Sequence, residues 1–161
     1  MTEAEWPTCT EPGLMLESLQ GQASDGKFRL FAVACCRRTW PLIADRECRK
    51  AVEAAEGHAK GLVSDRELER ADAAVTALVM RERLAAWSSL EGYVRYMATG
   101  AAHCAVKGAH LRHFAANAAR YAAQARDAAE GVEEKEAQAQ LVRDIFGNPF
   151  PWIGPELQRS S

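Results

Sequence analysis

The distribution of proline is the feature that most constrains how this chain can fold. All six prolines lie at or before Pro41 or at or after Pro149, so residues 42–148 contain no residue that removes a helical hydrogen bond. Alanine occurs 31 times, whereas isoleucine, which favours strands, occurs three times. We therefore expect an all-α protein without a sheet, folded as a single domain over residues 1–161.

Capping residues divide the chain into a bundle of five or six helices. A short helix is predicted over residues 12–20, because Pro12 suits a first turn. Ser24 is the expected N-cap of a second helix, which Pro41 should kink or end. Asp45 is the expected N-cap of a third helix, which ends near Gly57 or Gly61.

The second half of the chain has the most specific helix boundary. Residues 64–67 read Ser-Asp-Arg-Glu, the form of a capping box, and predict a helix from there to about residue 86. A last helix is predicted over residues 133–146, followed by Gly147. The tail at residues 150–161 contains prolines and Trp152, and we expect its aromatic side chains to dock on the domain.

Apolar or small residues recur at alternating steps of three and four between Trp87 and Ala129. This is a heptad repeat, and its second half consists almost entirely of alanine and glycine, which predicts close helix–helix packing. Each glycine inside such a helix costs about 1 kcal/mol, so one continuous helix and two helices both remain open. We expect large core side chains from five residues: Phe28, Phe31, Trp40, Leu90 and Phe146.

Three of the four histidines are the only candidate metal ligands. If residues 87–129 form one helix, His103, His110 and His113 share a face with Asn117 and Arg120. Helical histidine sites normally include a carboxylate, and residues 92–126 contain no acidic residue. A solvated polar face explains the same pattern, so we expect no metal and no other cofactor.

Charge is segregated along the chain although its net value is only −2. Residues 27–50 hold seven basic against two acidic side chains, and residues 92–126 hold five basic side chains. Residues 1–26 and 127–144 are acidic, so we expect the charges to pair within the fold. The basic residues do not form a stripe, and nucleic acid is not the expected partner. Arg112, Arg120 and Trp152 are the candidate interaction residues.

The cysteines and the first residues indicate a compartment. Five cysteines form an odd set without a CxxC spacing, which favours reduced, structural thiols. The first residues are acidic and precede no apolar run, and no stretch is long enough to cross a bilayer. We expect a cytoplasmic protein that does not bind membranes.

Four segments together carry a resemblance to a family: residues 2–6 (TEAEW), 27–40 (KFRLFAVACCRRTW), 49–56 (RKAVEAAE) and 141–150 (LVRDIFGNPF). In order and spacing they resemble a large family of uncharacterised proteins from planctomycete-type bacteria, with an Ala-rich helical middle of variable length. The resemblance implies no activity, cofactor or catalytic residue. Members usually continue with further helices after the FGNPF segment, which implies an open apolar groove here and favours a partner or a dimer.

The sequence therefore predicts a non-enzymatic helical interaction or scaffold module. Its partner is expected to be another protein or a second copy of the chain. The alternatives are a helical protein that binds nucleic acid or metal, or an enzyme of unrecognised type. We assign no catalytic residue, because no nucleophile motif, phosphate loop or carboxylate pair in an apolar setting occurs.

Overall fold

The computed structural model describes residues 1–19 and 21–150, and in those residues it contains helices and no strand. These described residues form seven α-helices: α1 Pro12–Ser18, α2 Asp25–Arg38, α3 Arg46–Ala59, α4 Asp65–Ala85, α5 Leu90–Ala105, α6 Leu111–Glu130 and α7 Lys135–Phe146. Short 3-10 turns lie at Trp6–Thr8 and Trp40–Leu42. The all-α prediction is confirmed. The predicted count of five or six helices is wrong, because residues 87–129 hold two helices separated by the loop around Gly108.

The helix ends follow the predicted local chemistry. Ser64 and Glu67 form the complete capping box at the start of α4. The Asp45 carboxylate accepts a hydrogen bond of 2.8 Å from the Glu47 amide and so caps α3. The second helix ends at Arg38, and Pro41 lies in the following 3-10 turn. Gly147, with φ of 75°, ends α7.

An antiparallel hairpin of α5 and α6 forms the centre of the bundle. The two helices make the most extensive helix pair in the fold, and α2 packs across both of them. Alanine supplies most of their contact, as the heptad repeat predicts. The buried alanines are Ala98, Ala101, Ala102 and Ala105 on α5 and Ala115, Ala118, Ala119, Ala122 and Ala125 on α6. Such small side chains allow two helix backbones to approach closely.

The two ends of the predicted heptad repeat lie outside this contact. Trp87 is 86% exposed and Leu90 is 65% exposed, so the prediction of Leu90 as a core residue is wrong. Ala129, at the other end, is also exposed. Leu90 is the first residue of α5. Of the other predicted core residues, Phe28 and Phe31 are buried, whereas Trp40 and Phe146 are half-buried.

Two glycines of α5 are required by close approaches. A Cβ at Gly92 would collide with the backbone carbonyl oxygen of Ala85 at the end of α4. A Cβ at Gly100 would lie 3.2 Å from the Tyr121 ring on α6. The absence of a side chain at these positions fixes how α4 and α6 pack against α5, which offsets the helix-propensity cost of glycine.

A buried carboxylate joins three helical regions. Glu134 lies at the N-cap position of α7 and is 2% exposed. It accepts hydrogen bonds of 2.6 and 3.1 Å from the Arg38 guanidinium at the end of α2. Its Oε1 atom also lies 2.5 Å from Nη1 of Arg126 on α6. Because each arginine binds the same carboxylate, the network links α2, α6 and α7.

Two further buried polar side chains bind helix backbones. Arg29 on α2 is 3% exposed and donates a 2.9 Å hydrogen bond to the carbonyl oxygen of Ala105 at the end of α5. Gln138 on α7 donates a 2.9 Å hydrogen bond to the carbonyl oxygen of Ala119 on α6. Each bond joins one side chain to one backbone atom of a neighbouring helix, so it sets the axial position of the two helices.

The Gly92→Ala substitution is expected to destabilise the fold by about 1–3 kcal/mol, because the added methyl group forces α5 away from the carbonyl of Ala85. Chemical denaturation measures this change. Gly108→Ala is the matched control. A methyl group there would meet none of the described atoms within 4 Å, and its effect should stay within about 1 kcal/mol. Equal effects of the two substitutions would contradict the close approach of α4 and α5.

The Glu134→Gln substitution is expected to lower the free energy of unfolding by about 2–4 kcal/mol, because two arginines lose the carboxylate that neutralises them. The expected loss is smaller than for a fully buried ion pair, because Arg38 is partly exposed and solvent screens its charge. Glu133→Gln changes a neighbouring exposed carboxylate in the same way and should leave stability almost unchanged. A comparable loss in both variants would show that the network does not stabilise the fold.

Candidate interaction surface

The three candidate histidines do not share a face, and the prediction that they do is wrong. The loop between α5 and α6 places His103 on one helix and His113 on the other. His110 lies in the loop, at the N-cap of α6, with a left-handed φ of 54°. Among the described residues, no three His, Cys, Asp or Glu side chains are grouped so that they could hold a metal ion.

His103 instead contacts α4. Its Nε2 atom lies 3.0 Å from the Thr76 hydroxyl and 3.5 Å from a carboxylate oxygen of Asp72. Desolvation lowers the pKa of His103, and the charge of Lys107 acts in the same direction. Lys107 lies 2.7 Å from the same Asp72 carboxylate. These contacts attach α4 to α5.

The cysteines are free thiols, and four of the five are buried: Cys35, Cys36, Cys48 and Cys104. Desolvation raises the pKa of the Cys48 thiol to about 11 and that of Cys104 to about 12. A thiol that stays protonated is a poor nucleophile, so these side chains pack as small apolar groups. The half-buried Cys9 lies near the amino terminus.

The candidate interaction residues on α6 do not form one surface. Arg120 is exposed, donates a 3.3 Å hydrogen bond to Asn117 and lies 4.9 Å from the centre of the Tyr121 ring. Arg112 is half-buried on the same helix, and an interval of eight residues turns it about 80° away. Trp152 lies outside the described residues.

Arg120 borders a groove of about 460 Å³ between α1, α6 and α7. Its lining consists of five alanine, glycine and proline residues and six polar or charged residues, and it includes no large apolar side chain. The charged groups at its rim pair with each other, since Lys135 lies 2.7 Å from Glu11. The groove therefore presents little surface that could anchor a partner.

The basic residues of the central segment are largely neutralised in place. Arg126 pairs with Glu130 and Glu134, Lys107 pairs with Asp72, and Arg95 lies 2.9 Å from Glu82. In the amino-terminal basic block, Arg38 pairs with Glu134 and Arg37 lies 2.7 Å from Glu56. These pairs spread the positive charge over several helices and do not concentrate it on one face.

Helix α4 and the turn after it present three of the large exposed apolar side chains of the described fold. Its inner side packs against α3 and α5 through Leu68 and Val75. On the opposite side Met80 is 64% and Leu84 is 82% exposed, and Trp87 follows in the turn after the helix. We call Ala73, Ala77, Met80, Leu84 and Trp87 the outer face of α4; all five are exposed.

The outer face has the spacing of a helix–helix contact. Successive members are separated by four, three, four and three residues, which keeps them on one stripe of a helix of 3.5-residue period. The sequence alone does not single out this stripe, because Trp87 also fits the heptad repeat of the next segment. The spacing from Ala73 to Trp87 is the sequence feature that indicates a helix–helix contact. Only the exposure of both ends shows that this apolar stripe lies outside the core.

The position of the outer face is rigidly defined. The capping box fixes the start of α4, and the pairs of Asp72 with Lys107 and of Glu82 with Arg95 fix its inner side. Gly92 brings the start of α5 directly against the end of α4. A partner that binds here does not first need to order the helix, which lowers the entropy cost of binding.

Comparison of the chain with protein-family models, curated proteins and solved structures gave no match. The resemblance to the planctomycete-type family stays a prediction from the quoted segments. No helix in residues 1–19 and 21–150 combines the length and apolar character needed to span a bilayer.

Proposed function

We propose that this chain is a non-enzymatic interaction module that binds protein through the outer face of α4. The observation that carries the proposal is the exposure of Met80 and Leu84 on one stripe of a helix whose other side is anchored in the bundle, together with that of Trp87 in the turn that follows. Scattered exposed apolar residues are common on proteins, but a contiguous row of large ones marks an interaction surface.

The chemistry of the outer face suits another helix. Its row of apolar residues extends over four helical turns, and the alanines at positions 73 and 77 allow close approach at one end. Trp87 and Met80 supply larger side chains at the other end, and tryptophan is among the residues that contribute most to binding energy. An amphipathic helix that presents its own apolar stripe would cover this face.

The alternative functions have less support from the described residues. A metal site would need the three histidines to converge, and they lie on α5, in the loop and on α6. Nucleic-acid binding would need unneutralised basic side chains on one face, and five of them pair with carboxylates instead. The free thiols favour the reducing cytoplasm as the compartment in which the module acts.

Site-specific photo-cross-linking tests this function. A photoreactive side chain at position 84 is expected to form a discrete protein adduct in cells, because Leu84 belongs to the outer face and is 82% exposed. The same side chain at position 14 is the control, since Leu14 is an exposed leucine on α1. An absence of adducts at position 84, or the same adducts at both positions, would contradict the proposal.

A further inference from the structure

We infer that the occupant of the outer face of α4 is a second copy of the same chain, bound antiparallel across a two-fold axis. This inference rests on the proposed function and adds the identity and direction of the partner. It is carried by the charges beside the apolar stripe, which change sign from one end of α4 to the other.

The charge reversal is visible on both sides of the stripe. Near the start of α4 the flanking residues are Glu67 on one side and Glu69 on the other. Near its end they are Arg81 and Arg83, again one on each side. At 100° per residue, Glu69 and Arg83 lie on the same side of the stripe, as do Glu67 and Arg81.

An antiparallel pair of α4 helices brings opposite charges together. Suppose that the two helices cross at the level of residue 75, measured along each helix, with their outer faces in contact. Glu69 then meets Arg83 of the second copy, and Glu67 meets Arg81 of the second copy. The two-fold symmetry repeats each contact, so four attractive pairs flank the apolar stripe. Opposite charges at these flanking positions set the orientation of paired helices.

The apolar layers fit the same arrangement. Ala73 faces Ala77 of the second copy near the axis, where small side chains permit close contact. Leu84 covers the aliphatic part of Arg66 of the second copy, whose stem is apolar up to the guanidinium. Trp87 reaches Leu62 of the second copy, and Leu62 is itself 79% exposed just before α4.

A parallel pair would be opposed by the same residues. In that arrangement Arg66 and Arg70, which lie on the stripe near the start of α4, would face their own copies. The arginines at positions 81 and 83 would also lie side by side with like charges. Only the antiparallel orientation converts these charges into attraction.

Glu69 and Arg83 are the residues best placed to test the pairing. Both are exposed, and neither forms an ion pair within the described part of the chain. Glu67 already accepts hydrogen bonds from Ser64 in the capping box. Arg81 already lies 3.3 Å from Glu82 and 3.5 Å from Asp45.

The contact is long enough for a stable pair. Helix α4 has 21 residues and a length of about 31 Å. The apolar stripe from Ala73 to Trp87 covers two heptads, and the aliphatic stems of Arg66 and Arg70 extend it by a third.

Sedimentation of the purified full chain tests the partner. The wild-type protein should form a dimer at concentrations up to about 200 µM, which populate complexes of micromolar affinity. Leu84→Arg should be monomeric throughout this range, because the new charge would face Arg66 of the second copy, whereas the matched Leu14→Arg should remain dimeric. Both leucines are exposed in the single chain, so each variant should keep the helical circular dichroism of the wild type.

Charge exchange tests the direction. Glu69→Arg and Arg83→Glu should each weaken the dimer by about three- to tenfold at low salt, because each places like charges together in two symmetric contacts. The double variant should regain the wild-type affinity, since both partners have exchanged sign. Failure of the double variant to regain affinity would overturn the antiparallel register.

The two proposals fail in different ways. A wild-type chain that stays monomeric, while position 84 cross-links to a different protein, overturns self-association and leaves the interaction function standing. A monomeric chain with no adduct at position 84 overturns both. A dimer that survives Leu84→Arg overturns the assignment of the interface to α4.

Discussion

The close contact between the alanine faces of α5 and α6 determines the arrangement of the rest of the molecule. Because alanine fills little volume, the two helices can approach each other closely, and the ring of Tyr121 on α6 fits against Gly100 of α5, which has no side chain. The large core residues come from elsewhere, notably Met15 and Leu16 on α1 and Phe28 and Phe31 on α2. Helices α1 and α2 pack against the central hairpin, α7 packs on α1 and α2, and α3 and α4 pack on α5.

The alanine faces of α5 and α6 carry small side chains of equal size. Such faces do not by themselves fix the position of one helix along the axis of the other. The buried polar contacts supply what the alanines lack. Arg29 binds the last turn of α5, Gln138 binds the middle of α6, and Glu134 joins arginines from α2 and α6. Each contact would be lost if one helix moved by a turn, and a buried charge without its partner is costly. The burial of polar groups therefore specifies this packing.

Much of the fold follows from local sequence signals. Proline placement, the Ser64 capping box and the Asp45 cap act within a few residues, and α3 and α4 begin where this chemistry predicts. The exposure of Trp87 and Leu90 and the separation of the three histidines could not be obtained in this way. They depend on the break near Gly108 and on which side of α4 meets α5, and both are results of tertiary packing.

The outer face of α4 also could not be predicted from the sequence alone. The heptad spacing of Ala73, Ala77, Met80, Leu84 and Trp87 is present in the sequence, but spacing alone does not distinguish a core stripe from an exposed one. Val75 and Leu68 form a second apolar side on the same helix, and only the fold shows that this second side is the buried one. The network at Glu134 also could not be predicted from the sequence, because Arg38 and Glu134 are 96 residues apart.

The distance between spin labels on two copies of the chain tests the antiparallel α4 pair most directly. Labels attached without cysteine chemistry at Ala74, close to the two-fold axis, should lie about 10 Å apart, the usual separation of packed helices. Labels at Ser88 should lie about 40 Å apart, since 13 residues on each copy separate them from the axis at 1.5 Å per residue. Short distances at both positions, or no intermolecular distance at either, would contradict the account.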